Sequence, residues 1–250
     1  MNYFADPELL TLDNGIEVYV VNRPGQVAAE LLACVRTGSI HEGDALGCGL
    51  SHFVEHMLFQ GCKGFPGTAA GDLLGKLGGD ANAYTSFDRT VYYVELPARN
   101  VPRGLEVLSA MLRYPEFPEA RFAAERDVIL REAGMGFDKP GRRLGEQCRQ
   151  LLFRRHPLRH PIIGYPEMVA NVTADMAKAY HAARYTPGRI FFVLAGAADA
   201  HRAAELLHNG NSIADTAQQL GYRTAYHFSS RFKMHFGTSP GHFRLKIKRV

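Results

Sequence analysis

The feature that most constrains this chain is a change of rhythm near Gly196. Before it, β-type and helix-type hydrophobic patterns alternate. Beyond it the β pattern stops, and only helical spacing with turn residues remains. A chain patterned this way is expected to form two units, a larger mixed one over residues 1–198 and a small all-α one over residues 199–250. Charge divides at the same place. The chain carries +4 overall, yet residues 199–250 hold eight Lys/Arg against three Asp/Glu, so the basic excess lies wholly in the tail. A basic module of this kind suits a polyanionic partner.

The first unit reads as follows. Leu10 to Val21 is strand, Asn14-Gly15 turn, strand, a strong hairpin signal. Ala28 to Arg36 is a further β-leaning run. From Gly47 to Phe59 the period changes: Leu50, Phe53, Val54, Met57 and Leu58 recur at helical spacing, predicting a mostly buried helix. Leu73 to Leu77 is short and helical, ended by Gly78-Gly79. Ala81 to Leu96 reads as one or two strands. Helices are expected over Val101–Arg113, Pro118–Met135, Arg142–Phe153 and Thr173–Tyr185, and a buried strand over Arg189–Ala195. The order lacks a regular βαβ beat, so the class is α+β with an antiparallel or mixed sheet and packed helices.

Apolar residues make up 46% of the chain, enough for a packed core. No apolar run reaches the length that spans a membrane, and the first residues lack a secretory pattern; the expected address is the cytoplasm. Cys34, Cys48, Cys62 and Cys148 form no C-x-x-C pair and are read as ordinary thiols rather than a disulfide framework.

The chemistry is concentrated in His52-Phe53-Val54-Glu55-His56. Residues four apart share a helix face, so the two imidazoles can grip one ion, and Glu55 projects to the same side. Zinc takes such nitrogen and oxygen donors and leaves a position open for water, whose proton a neighbouring carboxylate can accept. This is the H-x-x-E-H order of the inverted zincins. A third ligand must come from elsewhere, and the long helix offers Glu125 and Glu132, seven apart on one face. The plain alternative is a pair of histidines satisfied within a buried helix.

A series of segments in order resembles the M16 peptidases (pitrilysin, insulin-degrading enzyme, mitochondrial processing peptidase). They are Leu12–Gly15, Gly49–Phe59, Gly78–Thr85, Asp88–Tyr92, Glu125–Glu132, Gly164–Glu167 and Tyr185–Pro187, within about residues 8–198. The resemblance implies an M16-like (LuxS/MPP-like) fold and one Zn2+ held by His52, His56 and Glu132. It implies Glu55 as general base, Glu125 as the acid that supports the site, and a peptide substrate. Asn82, Ala83 and Tyr84 then fall on an edge strand that pairs with substrate backbone; from the residues alone, this would be a plain inner strand. M16 proteins close two homologous domains over the peptide, and here the resemblance ends after one. Activity is therefore expected to need a second M16-like chain, or to be absent.

In the tail, Ser212 to Gly221 reads as a short helix capped by Ser212. Thr224 to Phe236 is a second, with Phe228, Phe232 and Phe236 along one stripe and Ala225, Tyr226, Ser229, Ser230 and Lys233 opposite. Two helices joined at a glycine fit a helix-turn-helix; a packing hairpin with a solvated basic face is the alternative. The stretch Arg202 to Arg244 resembles the second helix-turn-helix of AraC/XylS regulators. That implies base contacts from the outward face and phosphate contacts from Arg223 and Lys233. Such regulators carry two of these units, and the first is missing. Three functions stay open: a zinc endopeptidase, a DNA-binding regulator with a peptidase-like sensor or dimerising body, and an inactive truncated fusion.

Overall fold

The structure is a computed structural model and describes residues 7–23, 26–137, 139–196 and 248–249. The Asn14-Gly15 hairpin forms as expected, joining β1 (Glu8–Thr11) to β2 (Glu17–Asn22). Gly15 takes φ +85, and the Asn14 side chain accepts a hydrogen bond from the Ile16 N–H at 3.1 Å. Then come β3 (Ala28–Val35), α1 (Leu50–Met57), the two-residue pair β4 (Gly61–Cys62) and β5 (Phe65–Pro66), and α2 (Ala69–Lys76). The β-rich run after Gly79 is two strands, β6 (Asp80–Thr85) and β7 (Thr90–Pro97). Next are α3 (Val101–Arg113), α4 (Glu119–Phe137), α5 (Pro140–Leu152), α6 (Pro166–Val169), α7 (Ala174–Arg184) and β8 (Ile190–Gly196).

Seven strands form one sheet in the order β6-β7-β3-β8-β2-β1-β9. Among the described residues only β2 and β8 run parallel, so the sheet is mixed. The last strand, β9 (Lys248–Arg249), pairs antiparallel with β1. Of residues 199–250 only these two are described, and the rest of the expected all-α tail lies outside the described residues. The helix-turn-helix residues Arg223, Ala225, Tyr226, Ser229, Ser230 and Lys233 lie outside the described residues.

Alternation orients the sheet. Val18, Phe192, Ala33, Tyr92 and Ala83 stand in one row across five strands, and all but Ala83 are fully or nearly buried. The period of two puts them on one face. Helix α3 packs on that face, and Gly104 permits it: a Cβ there would come within 2.8 Å of Leu96 and 3.1 Å of Leu31. The other face is only partly covered, with Tyr19 against Phe191 at 5.8 Å and Arg36 stacked over Phe191 at 5.0 Å. A strand set covered on one side reads as alternating rather than continuously apolar, as this one does.

Candidate metal centre

Helix α1 carries the first two candidate ligands because its other side belongs to the core. Phe53, Val54 and Met57 are fully buried, and Phe53 stacks on Phe122 of α4 at 4.3 Å with rings 14° from parallel. This contact draws α4 against α1. Its register brings Glu125 and Glu132, both on the side facing α1, towards the histidines. The entry to α1 is equally constrained. Gly49 has φ +64, and a Cβ on it would fall 2.1 Å from the Ile163 carbonyl oxygen. The buried Glu42 carboxylate accepts from the Ser51 N–H at 2.9 Å, satisfying one of the helix's open donors. Burial pushes the Glu42 carboxyl up to about 7 despite those backbone bonds.

Three donor atoms converge. Glu132 Oε2 lies 3.6 Å from His52 Nε2 and 3.7 Å from His56 Nε2. The ligand atoms of His52, His56 and Glu132 all lie within 4.8 Å of one another. Donors on a tetrahedral zinc, with bonds of about 2.0–2.2 Å, stand roughly 3.3–3.6 Å apart, so this donor set fits such an ion with little movement. Burial pushes His52 down to about 3, aided by the nearby His56 and Arg142, which keeps the ring in the neutral form that ligates.

Glu125 stands one layer behind. Its Oε2 is 3.0 Å from His56 Nδ1, and its Oε1 accepts from Gln60 Nε2 at 2.7 Å. A carboxylate only accepts, so Nδ1 carries the proton and Nε2 presents a lone pair to the Glu132 side. Glu55 is buried and accepts from the Thr85 hydroxyl at 2.5 Å. Burial raises its pKa; the Thr85 bond and His56 work against the rise, and Glu132 adds to it. A carboxylate tuned upward is better matched to accepting and returning a proton near neutrality.

His52, Glu55, His56 and Glu132 line a cleft of about 420 Å3 together with Ala83, Tyr84 and Thr85 of β6. Of the three residues expected to meet substrate, Ala83 and Tyr84 reach the cleft. Asn82 does not; its side chain accepts from the Ala83 N–H at 2.8 Å. Among the described residues strand β6 has a single neighbour, β7, so it is an edge rather than an inner strand. Sequence reasoning missed Thr85 and Gln60, which hold the two acids in place, and the cleft wall made by Arg142, Glu146, Arg149, Ile162 and Ile163. Two signals were available: Gln60 falls one turn after His56, and α5 repeats polar residues at i, i+4 and i+7.

Comparison with known proteins agrees with this geometry. The sequence model of the insulinase family (peptidase family M16) matches residues 17–165, more than half of the chain. The chain belongs to the M16 family. A second model, a helix-turn-helix domain, matches residues 188–246, so an AraC-type unit follows the M16 part. A relative from Bacillus subtilis, described as an uncharacterized zinc protease, is 30% identical over 186 residues, 74% of this chain and 45% of that protein. A probable mitochondrial-processing peptidase subunit beta from Arabidopsis thaliana is 31% identical over 192 residues, 77% of this chain and 36% of that one. The crystal structure of a protease from Helicobacter pylori superposes with TM-score 0.79 at 25% identity, covering 84% of this chain and 51% of that chain. The chain thus spans less than half the length of the curated M16 relatives it matches. Among the described residues, no helix is long and apolar enough to cross a membrane.

Proposed function

We propose that this chain is the metal-bearing half of an M16-type zinc endopeptidase and that a second M16-like chain completes it. The observation that carries the proposal is the approach of one Glu132 oxygen to both imidazole Nε2 atoms, beside a buried Glu55. In this assignment His52, His56 and Glu132 hold the ion, and Glu125 orients His56. Zinc, when bound, supplies Lewis acidity to the scissile carbonyl and to water. Glu55 takes the proton of the attacking water and returns it to the leaving amine, while Thr85 fixes which carboxylate oxygen faces the cleft. The open side of β6 offers backbone groups to an extended peptide, so Asn82, Ala83 and Tyr84 contribute mainly as strand, not as side chains. Wild-type chain loaded with zinc, mixed with the C-terminal half of a full-length M16 relative, should cleave an unstructured peptide. Glu55→Gln should keep the zinc and lose cleavage by roughly 100- to 10,000-fold. An intact peptide in the wild-type mixture, with zinc bound, overturns the assignment.

The match to a helix-turn-helix domain at 188–246 and the basic excess of the tail favour a second role, DNA binding. Strand β8 lies between β3 and β2, so we place the division after it, with residues 1–198 as one unit and 199–250 as the other. Arg223 and Lys233 would then contact phosphate, and Ala225, Tyr226, Ser229 and Ser230 would face base edges. A DNA-binding role and four free thiols suit the cytoplasm. One such unit neutralises few phosphates, so binding should be weak and steeply salt-dependent. Absence of any mobility shift at low salt would overturn this second role.

A further inference from the structure

Helix α5 forms the wall of the cleft away from β6, and its inner face is charged. Arg142, Glu146 and Arg149 recur at i, i+4 and i+7 and all line the cleft. Arg142 Nε is 3.2 Å from Glu146 Oε1, a pair that cancels its own charge. Arg149 is different. Its guanidinium lies over the Phe87 ring at 5.2 Å, just beyond the end of β6, and among the described residues no carboxylate pairs with it. Gly145, one turn earlier on α5, lies beside it: a Cβ there would meet Nη1 at 3.5 Å, an ordinary contact. A guanidinium placed over a ring and paired with no acid has N–H donors to offer, and those donors match a carboxylate. The carboxylates on the opposite side, Glu55 and Glu132, are taken up by the metal chemistry. The α5 wall therefore presents one uncompensated positive charge to whatever occupies the cleft.

We propose that the cleft recognises a carboxylate of the bound peptide through Arg149, with the Arg142–Glu146 pair beside it, so that peptides acidic near the scissile bond are preferred over neutral or basic ones. This rests on the peptidase assignment above and names its substrate class. The carboxylate can be an Asp or Glu side chain or the peptide's own C-terminus. A basic side chain at the same place would meet Arg149 unscreened.

The test separates binding from cleavage. Fluorescent peptides, amidated at the C-terminus and differing only in Glu, Gln or Lys at a scanned position, are titrated against the zinc-loaded full chain by anisotropy. A Gln peptide with a free C-terminus is included. One Glu position should bind roughly tenfold tighter than its Gln counterpart, the scale of a charge-assisted hydrogen bond. Arg149→Ala should erase that ratio while zinc content stays unchanged. If only the free C-terminus confers the advantage, and Arg149→Ala removes it, the recognised carboxylate is the terminal one. Equal binding of the Glu, Gln and Lys peptides, or no binding at all, overturns the proposal. So does a preference that survives Arg149→Ala, which would belong to the basic tail. Acid-selective binding that is followed by no cleavage once the C-terminal half of an M16 relative is added keeps this inference and defeats the hydrolase; cleavage by that mixture without selectivity does the reverse.

Discussion

Helices α1 and α5 face the same cleft from opposite conditions. In α1, Phe53, Val54 and Met57 are sealed in the core, and the polar side chains His52, Glu55 and His56 are held by that packing. In α5 no residue is fully buried. Its charged face looks into the cleft, and Leu144, Leu151 and Leu152 stand 62%, 83% and 75% exposed on the other side. Chemistry that needs sub-ångström placement is built on the buried helix, where core packing fixes rotamers. Charge that only has to attract is built on the helix that packing leaves loose.

The sharpest way to break this contrast is Phe53→Ala. It removes the ring stacked on Phe122 and should cost about 3–5 kcal/mol in chemical denaturation, with zinc affinity falling as well because both histidines share that helix. A variant of unchanged stability would show that α1 is not held as described.

Glu42 tests the helix's anchor through pH. Its folded pKa, raised from 4.5 to about 7, means the folded state favours the protonated form. Its stabilising contribution is complete below about 4.5 and is lost as pH rises through about 7. Glu42→Gln should therefore gain on the wild type across that window, by up to roughly 3 kcal/mol, and hold the gain above it. Parallel thermal melts of the two proteins from pH 4.5 to 8 would show it; curves that stay a constant distance apart would refute it.

Glu125→Gln keeps the size of the side chain but weakens acceptance from His56 Nδ1. Zinc affinity should drop roughly 10- to 100-fold, measured by chelator competition, with the fold intact. The smallest effect is expected on the loose helix. Leu151→Ala should change stability by no more than about 0.5 kcal/mol. A larger loss would mean that the exposed leucines have a covering not described here.

The same contrast explains what was legible in the residues. The buried helix announced itself by apolar spacing, and the H-x-x-E-H pattern within it singled out His52, Glu55 and His56, which the structure brings to one cleft. The Asn14-Gly15 turn and the strand expected over Arg189–Ala195, found over Ile190–Gly196, were equally plain, because each is dictated by local chemistry. The choice between Glu125 and Glu132 was not local. Both sit on one face of α4, and only the stacking of Phe53 on Phe122 puts one carboxylate between the rings and the other behind them. The β4–β5 pair and β9 were invisible for a related reason. Two-residue strands carry no period, and they exist through partners far along the chain, such as Pro115 opposite Cys62 or Leu10 opposite Arg249. Arg149 needed the fold too, since its meaning depends on Phe87 and on the lack of a nearby acid among the described residues.

The bond from the Ala83 N–H to the Asn82 amide oxygen has a wider consequence. A sheet margin that ends in unsatisfied donors invites other chains to stack on it. By turning its own amide onto the neighbouring donor, Asn82 plugs one of those vacancies with a group that an arriving strand can push aside. The margin stays shut to fibre growth yet open to a guest that brings a better acceptor.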